Sequence, residues 1–172
     1  MSARGEVLWT PPLDVAGSSR VGRFMAWLAE SRGHRAATYH ELWEWSVTDL
    51  EGFWGALAEW AGLRWGTPPE RVLAGGDRRM PGATWFPGAT INYAHQALAR
   101  AGADPTGIAV VERSQTRSRR QLSWEALADA VARCRAGLAG LGVGRGDRVV
   151  AYAPNIEETL VAFLASASLG AV

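Results

Sequence analysis

The sequence predicts an α/β fold, with a helical N-terminal region followed by the first strands and helices of an incomplete sheet. Three observations carry that prediction. Between Ser123 and Gly142, apolar residues recur at Trp124, Leu127, Val131, Cys134, Leu138 and Leu141, the spacing of one helix face. From Arg148 to Pro154 a near-continuous apolar run suggests a strand covered on both faces, as in a parallel sheet. A second helical stripe follows at Ile156, Leu160, Phe163, Leu164 and Ala167, Gly170 closes it, and Ala171-Val172 begin another strand. Strand, helix and strand make a right-handed βαβ crossover, which needs covering layers on both faces. The second strand has only begun at Val172, so the chain reads as the front part of a larger α/β enzyme. Its open sheet edge predicts self-association.

Taken in order, Met1 to Gly17 is irregular, with Pro11 and Pro12 and little periodicity. Ser18 or Ser19 can cap a helix with the stripe Val21, Phe24, Met25 and Leu28, ending by Gly33. Two capping boxes follow, Thr38 with Glu41 and Thr48 with Glu51; the second opens a helix whose stripe is Leu50, Phe53, Trp54, Leu57 and Ala61. Residues 66–88, rich in proline, glycine and arginine, form an ordered connector. Pro87-Gly88 makes a turn, and Asn92 ties its amide to nearby backbone at the start of a helix ending near Gly102. Gly107 to Glu112 reads as a strand, and Arg120 to Leu122 as its hairpin partner. Ser123 caps the next helix and Gly142 supplies its C′ position. Asn155, with Glu158 three residues on, caps the last one. The organisation expected is a helical, Trp-rich region over residues 1–102 and the start of an α/β domain over residues 103–172.

Composition narrows the function classes. At 172 residues the chain can bury a real core, and 48% hydrophobic with 20% charged residues is ordinary for a globular protein. A net charge of +1 argues against a nucleic-acid binder. All 18 basic residues are arginine, which excludes a Walker A loop, a Schiff-base lysine or any catalytic lysine within these residues. The single cysteine, Cys134, lies on an apolar stripe and reads as a buried hydrophobe in a reducing, cytoplasmic setting. There is no signal pattern, and the run from Thr159 to Val172 is shorter than the roughly 20 residues a membrane span needs.

Chemical motifs are few. Trp9, Trp27, Trp43, Trp45, Trp54, Trp60, Trp65 and Trp85 lie at helical spacings beside leucine and phenylalanine, and read as anchors for small helices rather than as an aromatic cage. Gly140, Gly142, Gly144 and Gly146 leave a helix and enter a strand, the reverse of a dinucleotide fingerprint, with Asp147 accepting backbone amides there. Arg113, Arg117, Arg119 and Arg120 read as a solvated hairpin turn rather than a phosphate grip. His34, His40 and His95 lack metal-ligand spacing. Asp49 with Glu51, and Glu157 with Glu158, are explained by helix N-termini. No catalytic, cofactor-binding or metal-binding residue is assigned.

Several stretches resemble known enzymes. Leu141-Gly142-Val143, Gly146-Asp147-Arg148-Val149, Pro154-Asn155, Glu158 and Leu169-Gly170-Ala171-Val172 resemble an early block of the adenylate-forming superfamily. Ser123-Trp124-Glu125-Ala126-Leu127 is similar to its Thr-Tyr-x-Glu-Leu helix start, with the acid one position earlier. Trp85-Phe86-Pro87-Gly88-Ala89-Thr90-Ile91-Asn92-Tyr93-Ala94 resembles the Trp-Phe-Pro-Gly-Ala-x-Leu-Asn-Tyr-Ala signature of acetoacetyl-CoA synthetases, with isoleucine for leucine. Val7-Leu8-Trp9-Thr10-Pro11, Leu42 to Val47 and Phe53-Trp54 resemble the N-terminal region of the same family. The resemblance implies an acid–thiol ligase that couples an acid to ATP as an acyl-adenylate and then to coenzyme A, with Mg2+. Its phosphate loop, adenine motif, ribose-binding aspartate and catalytic lysine would all come later than Val172. The fragment itself is therefore expected to be inactive, to bind no cofactor and to have the remainder of its own polypeptide as partner. The alternatives are an acetyl- or propionyl-CoA synthetase fragment, or a non-catalytic interaction module that keeps the scaffold.

Overall fold

The computed structural model describes residues 5–75 and 82–172. The chain divides into two compact units, Met1–Leu63 with Glu70–Pro87, and Arg64–Pro69 with Gly88–Val172.

The first unit holds α1 (Val15–Ser18), α2 (Arg20–Ser31), α3 (Tyr39–Thr48), α4 (Leu50–Trp60), β1 (Leu73–Ala74) and β2 (Thr84–Trp85). Ser19 caps α2 by accepting the Gly22 N–H at 3.0 Å. At α3 the expected box forms in altered shape: Thr38 Oγ1 accepts the Glu41 N–H at 3.2 Å, while the Glu41 carboxylate accepts the N–H of Ala37. The box expected from Thr48 to Glu51 does not form. Thr48 is the last residue of α3 and donates its hydroxyl to the Glu44 carbonyl, and Asp49 caps α4 instead, accepting the Gly52 N–H. An aspartate one residue later serves as well as a threonine, and the threonine has a back-bond available inside the helix.

Phe24, Leu28, Leu42 and Ala56 are the buried centre of this unit, with Trp27, Trp45, Phe53, Leu57 and Trp60 packed on them. The Phe24 ring lies 5.2 Å from Trp60, 5.9 Å from Phe53 and 6.1 Å from Trp27, centroid to centroid, so the rings knit the small helices to one another. Trp9 and Trp43 remain exposed. Within the expected connector, β1 and β2 pair antiparallel, Leu73 opposite Trp85, and Trp85 meets Trp54 edge-on at 5.8 Å. Residues 76–81 of that connector lie outside the described residues.

The second unit contains α5 (Tyr93–Ala97), α6 (Arg100–Ala103), β3 (Ile108–Glu112), β4 (Arg120–Ser123), α7 (Trp124–Gly140) and α8 (Glu157–Ser168). The single helix expected to Gly102 is two short ones, because the ladder tightens to i→i−3 bonds at Ala99 and Ala101. The β3–β4 hairpin forms as expected, pairing Val110 with Leu122 and Glu112 with Arg120 after an irregularity near Ile108. Ser123 Oγ caps α7 through the Ala126 N–H. Gly142, at φ +89°, ends α7 in a Schellman motif, with Gly142 N–H to Ala139 and Val143 N–H to Leu138. Gly170, at φ +74°, closes α8 in the same way onto Ala167 and Ser166.

Ala94, Leu127, Val131, Leu164 and Ala165 form the core between α5, α7 and α8. Cys134, expected to be buried, packs against it half-buried. Three expectations fail near α8. Asn155 makes no cap: Ile156 holds the N-cap position without a side-chain bond, and Thr159 Oγ1 donates to the Pro154 carbonyl. The buried stripe is rotated to Val161, Leu164 and Ala165, leaving Phe163 55% exposed. The run 148–154 is not a covered strand, and Val150 and Tyr152 stand in the open. A strand needs a lateral partner, and among the described residues only one is offered. The Val172 N–H bonds the Asp147 carbonyl at 2.7 Å and the Val149 N–H bonds the Val172 carbonyl at 2.8 Å, the pattern of one parallel rung. The described sheets are therefore two antiparallel pairs, and the crossover is present only at its first rung.

Asn92 joins local and long-range order in this unit. Its Oδ1 accepts the His95 N–H at the start of α5, and its Nδ2 donates to the Ala167 carbonyl on α8 at 2.8 Å. Asn92→Ala should lower stability by about 1–3 kcal/mol in urea unfolding, and Asn92→Ser, which keeps a cap but loses the long reach, by roughly half as much. An unchanged midpoint in Asn92→Ala would show that neither bond carries weight.

Candidate functional site

The hairpin and α8 bring together charges far apart in sequence. Glu112 ends β3, where its cross-strand neighbour is Arg120, while Glu157 and Glu158 lie in the first turn of α8. Arg117, in the hairpin turn, donates from Nη1 to both oxygens of Glu158, at 2.9 and 3.1 Å, a bifurcated contact. Arg120 Nη1 meets Glu157 Oε1 at 2.8 Å. The Glu112 side chain is only 3% exposed, and Arg117 Nη1 stands 3.7 Å from its Oε1. Neither Glu112 oxygen accepts a hydrogen bond, and neither does Glu157 Oε2, although all three atoms are buried.

Sequence reasoning missed this cluster. Glu157 and Glu158 were accounted for by the helix dipole and the arginines by a solvated turn; Arg117 and Arg120 are in fact paired with carboxylates. The available signal was a glutamate ending an apolar strand, placed opposite an arginine by the hairpin register. The remaining singled-out residues take structural places. His34 stacks on Trp45 and His40 on Trp43, and Asp147 Oδ2 accepts the Gly144 N–H at 2.8 Å, as expected.

Beside the cluster, the 148–154 segment, α8 and Val172 enclose a cleft of about 600 Å³. Its walls are nearly all apolar, including Val149, Ala151, Ile156, Phe163 and Val172.

Comparison with known proteins gives matches along the chain. Residues 39–97 match the acetyl-coenzyme A synthetase N-terminus, and residues 98–172 match the AMP-binding enzymes. The chain is 35% identical to the acetoacetyl-coenzyme A synthetase of Rhizobium meliloti over 96% of its own length and 25% of that protein. It is 31% identical to the malonamoyl-CoA synthetase vrtB of Penicillium aethiopicum, over 97% of its length and 23% of that protein. The solved acetoacetyl-CoA synthetase from Streptomyces lividans superimposes with a TM-score of 0.85 and 45% identity, over 97% of this chain and 26% of that one. This chain is homologous to the N-terminal region of acetoacetyl-CoA synthetases. It spans about a quarter of the length of these relatives.

The glycines that could cradle phosphate are already committed, Gly144 N–H to Asp147 and Gly146 N–H to the Gly170 carbonyl. Arg117 and Arg120 are occupied by glutamates. Among the described residues, no helix is long and apolar enough to cross a membrane.

The charge pairing has a pH signature. The Glu158 carboxyl is held below its ordinary range, first by its own backbone N–H and then by Arg117, whose guanidinium is correspondingly raised. A depressed carboxyl contributes stability above its unfolded pKa and loses it as pH falls through the folded value. In Arg117→Gln the Glu158 midpoint, followed by carboxyl carbon NMR, should move up toward the ordinary range. A midpoint unmoved by the substitution would mean that Arg117 does not hold Glu158 in solution.

Proposed function

We propose that this chain forms the N-terminal part of an acetoacetate–CoA ligase, a cytoplasmic enzyme joining acetoacetate to coenzyme A as ATP is split to AMP and diphosphate. The observation that carries this reading is the 45% identity to the Streptomyces lividans acetoacetyl-CoA synthetase across nearly the whole chain. In this reading residues 1–102 are a helical anchor and residues 103–172 begin the large α/β domain. ATP, Mg2+, coenzyme A and the acid are all held by groups outside these residues, and the apolar cleft beside Val172 receives the next part of the same polypeptide. No residue from 1 to 172 takes a catalytic role; the charge cluster and Asn92 hold the scaffold in shape.

The protein from the complete reading frame is expected to release AMP only when acetoacetate and coenzyme A are both present, and residues 1–172 alone to release none. Residues 1–172 grafted in place of the matching quarter of the Streptomyces lividans relative should keep activity within about tenfold of that parent, since a scaffold match forfeits little transition-state stabilisation. Preference of the complete protein for acetate or propionate would instead support the sibling ligases. A complete protein that folds but turns over none of these acids would support the interaction module.

A further inference from the structure

We propose that a pocket in the first unit, between α2, α3 and α4, binds a small aromatic carboxylate: a two-ring apolar body carrying one anionic group. The pocket holds about 220 Å³. An apolar cavity of about 150 Å³ takes one benzene, so this space suits a bicyclic ring better than a single one. Phe24 and Leu42, both almost fully buried, are its deepest walls, and Phe53 and Trp60 stand beside Phe24 at 5.9 and 5.2 Å, centroid to centroid. Rings grouped in this way offer faces and edges on which a further ring can stack.

The rim supplies the second observation. Tyr39 and Trp43, four residues apart on α3, line the pocket yet are 68% and 48% exposed, and neither packs into the buried centre around Phe24. Arg20, the first residue of α2, lines the same pocket, and its guanidinium makes no ion pair or hydrogen bond among the described residues. Ser46 donates its hydroxyl proton to the Trp43 carbonyl at 2.7 Å, which leaves its oxygen as an acceptor at the pocket. Among the described residues no carboxylate lines this space.

A free guanidinium beside an apolar pocket favours a carboxylate, which it can meet with paired N–H donors. It also argues against the usual occupant of an aromatic enclosure, an ammonium ion, because no acidic wall is present to offset a second positive charge. A bare acetate would leave the rings uncovered, and a neutral bicycle would leave the guanidinium without a partner, so ring and charge act together. All of these residues lie within one compact unit. The proposal stands independently of the ligase reading.

The test uses the full chain and naphthylacetate as probe, with naphthylacetamide and acetate beside it. Isothermal titration should give a Kd on the order of 0.1–1 mM for naphthylacetate, as expected for a ligand of that size, and no binding of acetate. The indole N–H resonances of Trp43 and Trp60 should shift as the probe is added. The amide should bind the wild type about three- to tenfold more weakly than the acid, the cost of losing a charge-assisted hydrogen bond. In Arg20→Gln, an exposed position whose change leaves the core intact, acid and amide should bind alike. Arg23→Gln, exposed on α2 and outside the pocket lining, should keep the preference for the acid. Trp43→Ala, also at the rim, should weaken both ligands. No binding of naphthylacetate by the wild type, or a preference for the acid that survives Arg20→Gln, would overturn the site. Binding by residues 1–172 that disappears in the protein of the complete reading frame would give the pocket to another segment of the polypeptide and overturn it equally.

Discussion

The second unit depends on a narrow apolar seam where α7 and α8 pack, with Leu127 and Val131 on one side, Leu164 and Ala165 on the other, and Ala94 of α5 filling the end. Alanine at positions 94 and 165 lets backbones come close. That approach brings the Ala167 carbonyl within 2.8 Å of the Asn92 amide. The stretch that resembles the acetoacetyl-CoA synthetase signature thus has a physical task in this chain: one asparagine starts a helix and fastens it to a neighbour 75 residues away.

The same seam sets the position of the charges. Once α8 is seated on α7, its first turn faces the hairpin that precedes α7, and the glutamates at its start meet the arginines of the turn. Arg117 closes on Glu158 and Arg120 on Glu157, leaving Glu112 beneath them without a hydrogen bond. Ion pairs exposed on one side contribute little individually. Their evident effect is to fix the hairpin's orientation against the helix.

The first unit is held differently. Three short helices, α2, α3 and α4, none long enough to persist alone, share one group of rings around Phe24. Part of this unit falls within residues 39–97, which match the acetyl-coenzyme A synthetase N-terminus, and 97% of the chain superimposes on the Streptomyces lividans structure with a TM-score of 0.85. Both an acetoacetyl- and a malonamoyl-CoA synthetase are similar to the chain over this region.

By itself the sequence determined what depends on near neighbours: the caps at Ser19, Thr38, Asn92 and Ser123, the Schellman glycines Gly142 and Gly170, the β3–β4 hairpin, and the kinship readable in the Trp85–Ala94 stretch. Each rests on bonds between residues a few positions apart, so the local order of residue types suffices. Tertiary structure decided which face of α8 is buried, that Asp49 displaces Thr48 as a cap, that the 148–154 run stays open, and that Glu112, Glu157 and Glu158 converge. Those outcomes turn on partners tens of residues away. Apolar spacing marks out a stripe, but the neighbour that arrives decides which part of it is covered, and a strand is made only where another strand lies alongside it.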